Sequence, residues 1–200
     1  MELVVTSLSR YFEGRMPLEV ARSAALELMG AVGARAGRPI SWDEREDAPL
    51  LREEPPDGAF VALVRAAVHL DDLPGAGEAW RAIDPARDEA VELARMRIRR
   101  TRFPHLVRGG RIFLPVGFDR PIECRKSPFG PTAIGSSFRL LAELEQIEDE
   151  LGRGAAVRPD EGLRDGLRAA HRLALESVTR RLPLIVGTAR ASGLFARGPR

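Results

Sequence analysis

Strand-like runs and helix-like stripes alternate along this chain of 200 residues, and that alternation restricts the possible folds more than any other feature. A β-branched run, Glu2-Leu3-Val4-Val5-Thr6-Ser7-Leu8, opens the chain, and Leu182-Pro183-Leu184-Ile185-Val186 closes its ordered-looking part. Between them four stretches read as helices, at about 17–36, 84–100, 136–151 and 160–181; a fifth, 58–70, is apolar almost throughout, so its length favours a buried helix while periodicity leaves a strand open. Pro17 suits a first helical turn, and Gly37 followed by Pro39 ends that helix. Asp84, Pro85, Asp88 and Glu89 mark the start of the helix at 84–100. Leu140, Leu144, Ile147 and Leu151 form one apolar stripe; Leu163, Leu167, Ala170, Ala174, Val178 and Leu182 form another. Further strands are expected at 103–107 and 111–118, joined by a turn at Gly109-Gly110, with short ones at 39–44 and 121–124. A turn is expected at Leu73-Pro74-Gly75. The expectation is α/β (or α+β): one domain over 1–188 with a mixed sheet of about 4–6 strands flanked by about five helices. Residues 189–200 read as a flexible tail.

Composition narrows the compartment and the chemistry. No run reaches the ~18 apolar residues that a membrane-spanning helix requires, and the first residues lack a secretory signal pattern. Cys124 is the sole cysteine, which rules out an intrachain disulfide and a cysteine-rich metal site. A cytoplasmic protein without cofactor, metal or membrane partner is expected. The net charge is only +2, from 31 basic and 29 acidic residues, so any basic character is local. Lys126 is the only lysine. The arginine skew, with much Ala, Gly and Pro, fits a GC-rich bacterial genome and lowers the weight of any one arginine cluster.

One such cluster stands out. Met96 to Arg111, MRIRRTRFPHLVRGGR, holds six arginines and no acid. On a helix continued through 84–102, Asp88, Glu92, Arg95, Arg99 and Arg102 would share a stripe, pairing and suiting the helix dipole. Arg97, Arg100, Arg108 and Arg111 are left as a basic surface with the means to hold phosphate. Gly130 to Ser137 mimics a phosphate-loop frame, but Ser136 stands where the lysine belongs, so nucleotide hydrolysis is not expected. Gly135, Ser136 and Ser137 read as a helix start, with a capping role or an anion-holding one near Arg125 and Lys126.

The opposite charge gathers between Asp43 and Asp57. Asp43, Glu44, Glu46, Asp47, Glu53 and Glu54 make a negative loop that would steer a basic protein partner or pair with the arginines at 97–111. His69 and His171 read as core or boundary histidines. His105 and Cys124, on neighbouring expected strands, are the minimum for a Cys–His nucleophile pair, although a small buried hydrophobe is the better reading of Cys124.

The segment His105-Leu106-Val107-Arg108-Gly109-Gly110-Arg111-Ile112-Phe113-Leu114-Pro115-Val116-Gly117-Phe118, followed by Ile134 to Glu145, resembles a set of uncharacterised bacterial proteins. These pair an LPVxF strand with a GSSxxLLxEL helix start, then a long helix and a closing apolar strand. The resemblance covers 103–187. Where those proteins carry an Asp-rich hairpin this chain has Leu-Val-Arg-Gly-Gly, so no acidic or metal-linked role carries over. It implies an accessory or immunity-type role. With no catalytic constellation in the sequence, a well-formed core and opposed acidic and basic segments, the leading expectation is a non-catalytic protein-interaction domain; the alternative is anion or nucleic-acid binding through 97–111 and the Gly135–Ser137 helix start.

Overall fold

A computed structural model describes residues 1–71, 82–125, 127–153 and 159–187. Its framework is a six-stranded mixed sheet in the order β2-β1-β6-β3-β5-β4. The strands are β1 (Glu2–Val5), β2 (Leu51–Glu53), β3 (Ile112–Leu114), β4 (Ile122–Cys124), β5 (Thr132–Ser136) and β6 (Leu184–Gly187). β3 and β5 run parallel, with Ile112 opposite Ile134 and Leu114 opposite Ser136; all other pairings are antiparallel.

Seven α-helices occur among the described residues: α1 (Leu8–Tyr11), α2 (Leu18–Ala36), α3 (Ala59–Leu70), α4 (Glu89–Arg95), α5 (Pro104–Arg108), α6 (Ser137–Gly152) and α7 (Glu161–Arg180). The pleat sorts neighbouring side chains into two cores. Leu3, Val5, Phe113 and Leu184 face α3 to α7. Ile112, Leu114, Ile134 and Ile185 face α1 and α2. The molecule is thus a three-layer α/β sandwich. No described helix is long and apolar enough to cross a membrane.

Several local expectations are corrected. The helix expected at 84–100 is a 3-10 turn at Pro85–Arg87 followed by α4, which stops at Arg95. Arg97 then enters the left-handed region (φ 64°), and the amides of Ile98 and Arg99 both bond to the Leu93 carbonyl at 3.0 Å, so the chain turns away. The shared stripe of Asp88, Glu92, Arg95, Arg99 and Arg102 therefore does not exist. Phe103–Val107 is not a strand, because Pro104 begins α5. Gly109-Gly110 does not close a hairpin. A Cβ on Gly109 would lie 2.1 Å from the His105 carbonyl oxygen, and one on Gly110 (φ 65°) 2.3 Å from that of Ala133. These two glycines allow α5 to descend directly into β3.

Residues 39–44 form no strand, whereas Leu51–Glu53, inside the expected acidic loop, forms edge strand β2. Thr132–Ser136, expected as loop, is an interior strand, with Gly135 lying against the Phe113 ring. The turn expected at 73–75, Lys126 and the tail 189–200 lie outside the described residues.

Candidate anion-binding site

The parallel pair β3/β5 defines one end of the sheet, where both strands deliver their carboxyl ends. In open α/β sheets this is where ligands collect. Here the connection after β3 (Gly117-Phe118-Asp119-Arg120) lies beside the residues after α4 and the start of α5. Two hollows result. One, of about 710 Å³, is walled by Arg35, Arg38, Arg97, Phe118, Arg120 and Glu123, among others. The other, of about 670 Å³, is walled by Arg97, Arg100, Thr101, Pro104, Arg108 and Arg120, among others. Arg97, Asp119, Arg120 and Pro121 line both.

Six guanidinium groups face two carboxylates along this lining. Arg97 pairs with Glu123 at 2.9 Å, and Asp119 is held from outside the lining by Arg139. Arg38 donates to the Gly117 carbonyl oxygen, tying the end of α2 to the connection after β3. Arg108 donates to the carbonyl oxygens of Ala94 (2.6 Å) and Arg99 (2.8 Å). Burial, and next the nearby Arg97, lower the pKa of Arg108 from its ordinary value. Arg35, Arg100 and Arg120 are exposed and have no side-chain partner among the described residues.

A buried polar chain fixes the ground beneath. Glu143 accepts from the His105 amide (2.9 Å) and the Leu106 amide (2.8 Å), anchoring the first turn of α5. Burial pushes its pKa up to about 8, against those two hydrogen bonds and the pull of Arg139. His105 Nδ1 accepts from the Ser136 amide at 2.9 Å, so the neutral ring carries its proton on Nε2. Burial lowers its pKa to about 4, which keeps it neutral near pH 7. The ring packs on Phe118, 5.7 Å between centroids. Ser177 donates to the Leu182 carbonyl oxygen (2.6 Å) and so receives the hydroxyl proton of Ser137 (2.7 Å).

The structure thus brings Arg97, Arg100 and Arg108 into the lining of one hollow and separates Arg111, which precedes β3 at the other end of the strand. Gly135, Ser136 and Ser137 do not form an open cradle. Gly135 faces Phe113, Ser136 caps α6 through the Arg139 amide, and both serines are fully buried. Cys124 packs in the core beneath α2, while His105 rides on α5, whose Leu106 and Val107 belong to the opposite core. Among the described residues no cluster of His, Cys, Asp and Glu has metal-binding geometry.

Most of the acidic segment is engaged internally. Glu44 accepts from the Leu8 and Ser9 amides and from Trp42 Nε1. Asp43 pairs with Arg45, Glu46 with Arg22, and Glu53 with Arg172. Asp47 and Glu54 have no partner among the described residues. The basic stretch pairs elsewhere: Arg95 with Glu92, and Arg102 with Asp71 and Glu150. The acidic and basic segments do not pair with each other in any ion pair among the described residues.

Sequence reasoning missed Arg35, Arg38 and Arg120, which reach the groove only through tertiary folding. It also missed a buried ion cluster. Arg65 and His69, one turn apart on α3, both bond to Asp88 Oδ2, at 2.7 and 3.1 Å. Burial raises the Asp88 pKa, but the hydrogen bonds from Arg65 and His69 outweigh it and leave the carboxyl below its ordinary value. An arginine and a histidine four apart in an otherwise apolar helix were the available sign. No family model matches the chain, and no curated protein or solved structure is significantly similar to it.

Proposed function

We propose that this α/β protein binds a phosphate-bearing ligand in the arginine-lined groove at the carboxyl ends of β3 and β5, without catalysing its conversion. The observation that carries this reading is the lining itself. Six guanidinium groups face two carboxylates, and Arg35, Arg100 and Arg120 have no partner among the described residues. Like charges gathered in a concavity focus a positive potential and favour an anion that bridges them. Guanidinium forks suit phosphate oxygens in particular. The reading places the protein in a bacterial cytoplasm, where phosphate esters are abundant. Calorimetric titration with inorganic pyrophosphate tests it. Binding should weaken at least about tenfold, or about 1.4 kcal/mol, in the double variant Arg100→Glu/Arg120→Glu. Equal binding by both proteins would defeat the proposal.

A protein partner, in an accessory or immunity-type role, is the second reading. It is favoured by Met96 and Ile98, which flank Arg97 and are 64% and 71% exposed, an apolar rim beside a charged hollow. The acidic segment adds Asp47 and Glu54, which have no partner among the described residues. Co-purification tests this reading: a partner captured by the native protein should be lost on Met96→Asp/Ile98→Asp but kept on Arg100→Glu/Arg120→Glu.

A further inference from the structure

Given the anion-binding reading, on which this inference rests, we propose that the ligand is a single-stranded nucleic acid whose backbone runs through both hollows. Each hollow, at about 710 and 670 Å³, lies within the ~300–1,000 Å³ range of a complete small-ligand site. They share Arg97, Asp119, Arg120 and Pro121, so they adjoin along those residues and together offer more surface than one small ligand covers.

Arg35 and Arg38 line one hollow, Arg100 and Arg108 the other, and Arg97 and Arg120 the junction. A lone phosphate calls for donors converging on a point. Donors spread over two adjoining hollows match the repeated charge of a phosphodiester chain.

Apolar surface accompanies the arginines. Phe118 and Ile122 line the first hollow and Pro104 the second, while Met96 and Ile98 stand exposed beside Arg97. A chain of bare phosphates has no use for such surface, but the faces of unstacked bases do, on aromatic rings and on guanidinium planes alike. In a duplex those faces are stacked inside, which favours a single strand.

The two carboxylates fit the same picture. Asp119 and Glu123 would repel a polyanion, yet each is already paired, with Arg139 and Arg97 respectively. An arriving phosphate can take over Arg97 and leave Glu123 facing solvent.

Fluorescence polarisation tests this with labelled single strands of oligo(dT) and oligo(U) about 12 nucleotides long, a duplex of the same length, and inorganic polyphosphate as competitor. The expected result is single-strand binding with a log–log salt slope of about −2 to −3 between about 50 and 200 mM, near −0.7 per phosphate over three or four contacts. Arg100→Glu and Arg120→Glu should each weaken binding at least about tenfold, whereas Arg168→Glu, exposed on α7, should leave it within about twofold. Phe118→Ala should weaken the oligonucleotide and leave polyphosphate unaffected, its folding checked by thermal melting. Binding of pyrophosphate or polyphosphate but of no oligonucleotide would overturn this inference and spare the anion-binding reading. Equal affinity for duplex and single strand would overturn the single-strand assignment. Binding of none of these anions would overturn both.

Discussion

Replacing Arg97 by glycine separates what this residue does for the fold from what it does for the groove. Arg97 holds φ 64° at the end of α4, a position that glycine normally fills. A left-handed conformation costs a side-chain-bearing residue about 1–2 kcal/mol, which glycine would relieve. Against this, glycine's freedom in the unfolded chain costs about 0.5–1 kcal/mol. The lost ion pair with Glu123, whose partners are 51% and 57% exposed, is worth about 0.2–1 kcal/mol. These contributions nearly cancel, so Arg97→Gly should move the melting temperature by no more than about 3 °C for a chain of this size. Binding behaves differently: the salt slope should fall in magnitude by about 0.7, one phosphate contact, with a matching loss of affinity. Arg181 is the internal control. It caps α7 at φ 57° and its side chain has no partner among the described residues. Arg181→Gly should therefore match or exceed wild-type stability and bind normally. Differential scanning calorimetry and salt-dependent binding on the two variants suffice. An Arg97→Gly protein destabilised by more than about 2 kcal/mol, or one that binds like wild type, would refute the reasoning.

Other outcomes follow from the buried polar groups. Glu143, with a pKa near 8 in the fold against an ordinary 4.5, holds a proton that the unfolded chain releases, so its contribution to stability falls as pH rises from 4.5 to 8. His105, near 4 against an ordinary 6.5, refuses a proton that the unfolded chain binds, so its contribution rises from pH 4 to 6.5. The two slopes oppose each other from 4.5 to 6.5. Chemical denaturation should show a plateau there and then a loss of about 2 kcal/mol by pH 8, at about 1.4 kcal/mol per pH unit. Glu143→Gln should remove that late decline while costing about 1–3 kcal/mol, because its amide nitrogen would face one of the two donating N–H groups. A wild-type profile flat from 6.5 to 8 would contradict the assignment. Asp88→Asn should cost about 3–5 kcal/mol by leaving Arg65 buried opposite a neutral group, read by urea unfolding. Gly135→Ala puts a Cβ 2.3 Å from the Phe113 ring and should cost about 1–3 kcal/mol in the same assay.

What the sequence made legible was whatever depended on periodicity. Helices α2, α6 and α7 follow from local apolar spacing, α3 from the length of its apolar run, and strands β1 and β6 from short β-branched and apolar runs; Leu140, Leu144, Leu163 and Leu167 are buried as their stripes require. What it hid depended on partners distant in the chain. Thr132–Ser136 carries glycine and proline around it, yet pairing with β3 and β4 on both sides makes it a strand. Phe103–Val107 is apolar enough for either state, and Pro104 at the first helical position decides for the helix. Nothing in Arg95-Met96-Arg97 announces a helix end, because the residue in the left-handed region is an arginine where a glycine would have shown it. Of the groove, Arg97, Arg100 and Arg108 were legible as a local excess of charge. Arg35, Arg38 and Arg120 were not, since α2 and the connection after β3 meet them only once the sheet has formed.

The central claim, that the arginines along this groove form an anion-binding surface, is tested most directly by nuclear magnetic resonance of the arginine Nε–H groups during titration with inorganic pyrophosphate. Saturable shifts confined to Arg35, Arg97, Arg100 and Arg120 are predicted, with Arg87, Arg153 and Arg168 unmoved. Shifts spread evenly over all these exposed arginines, or no saturable shift at all, would contradict the claim.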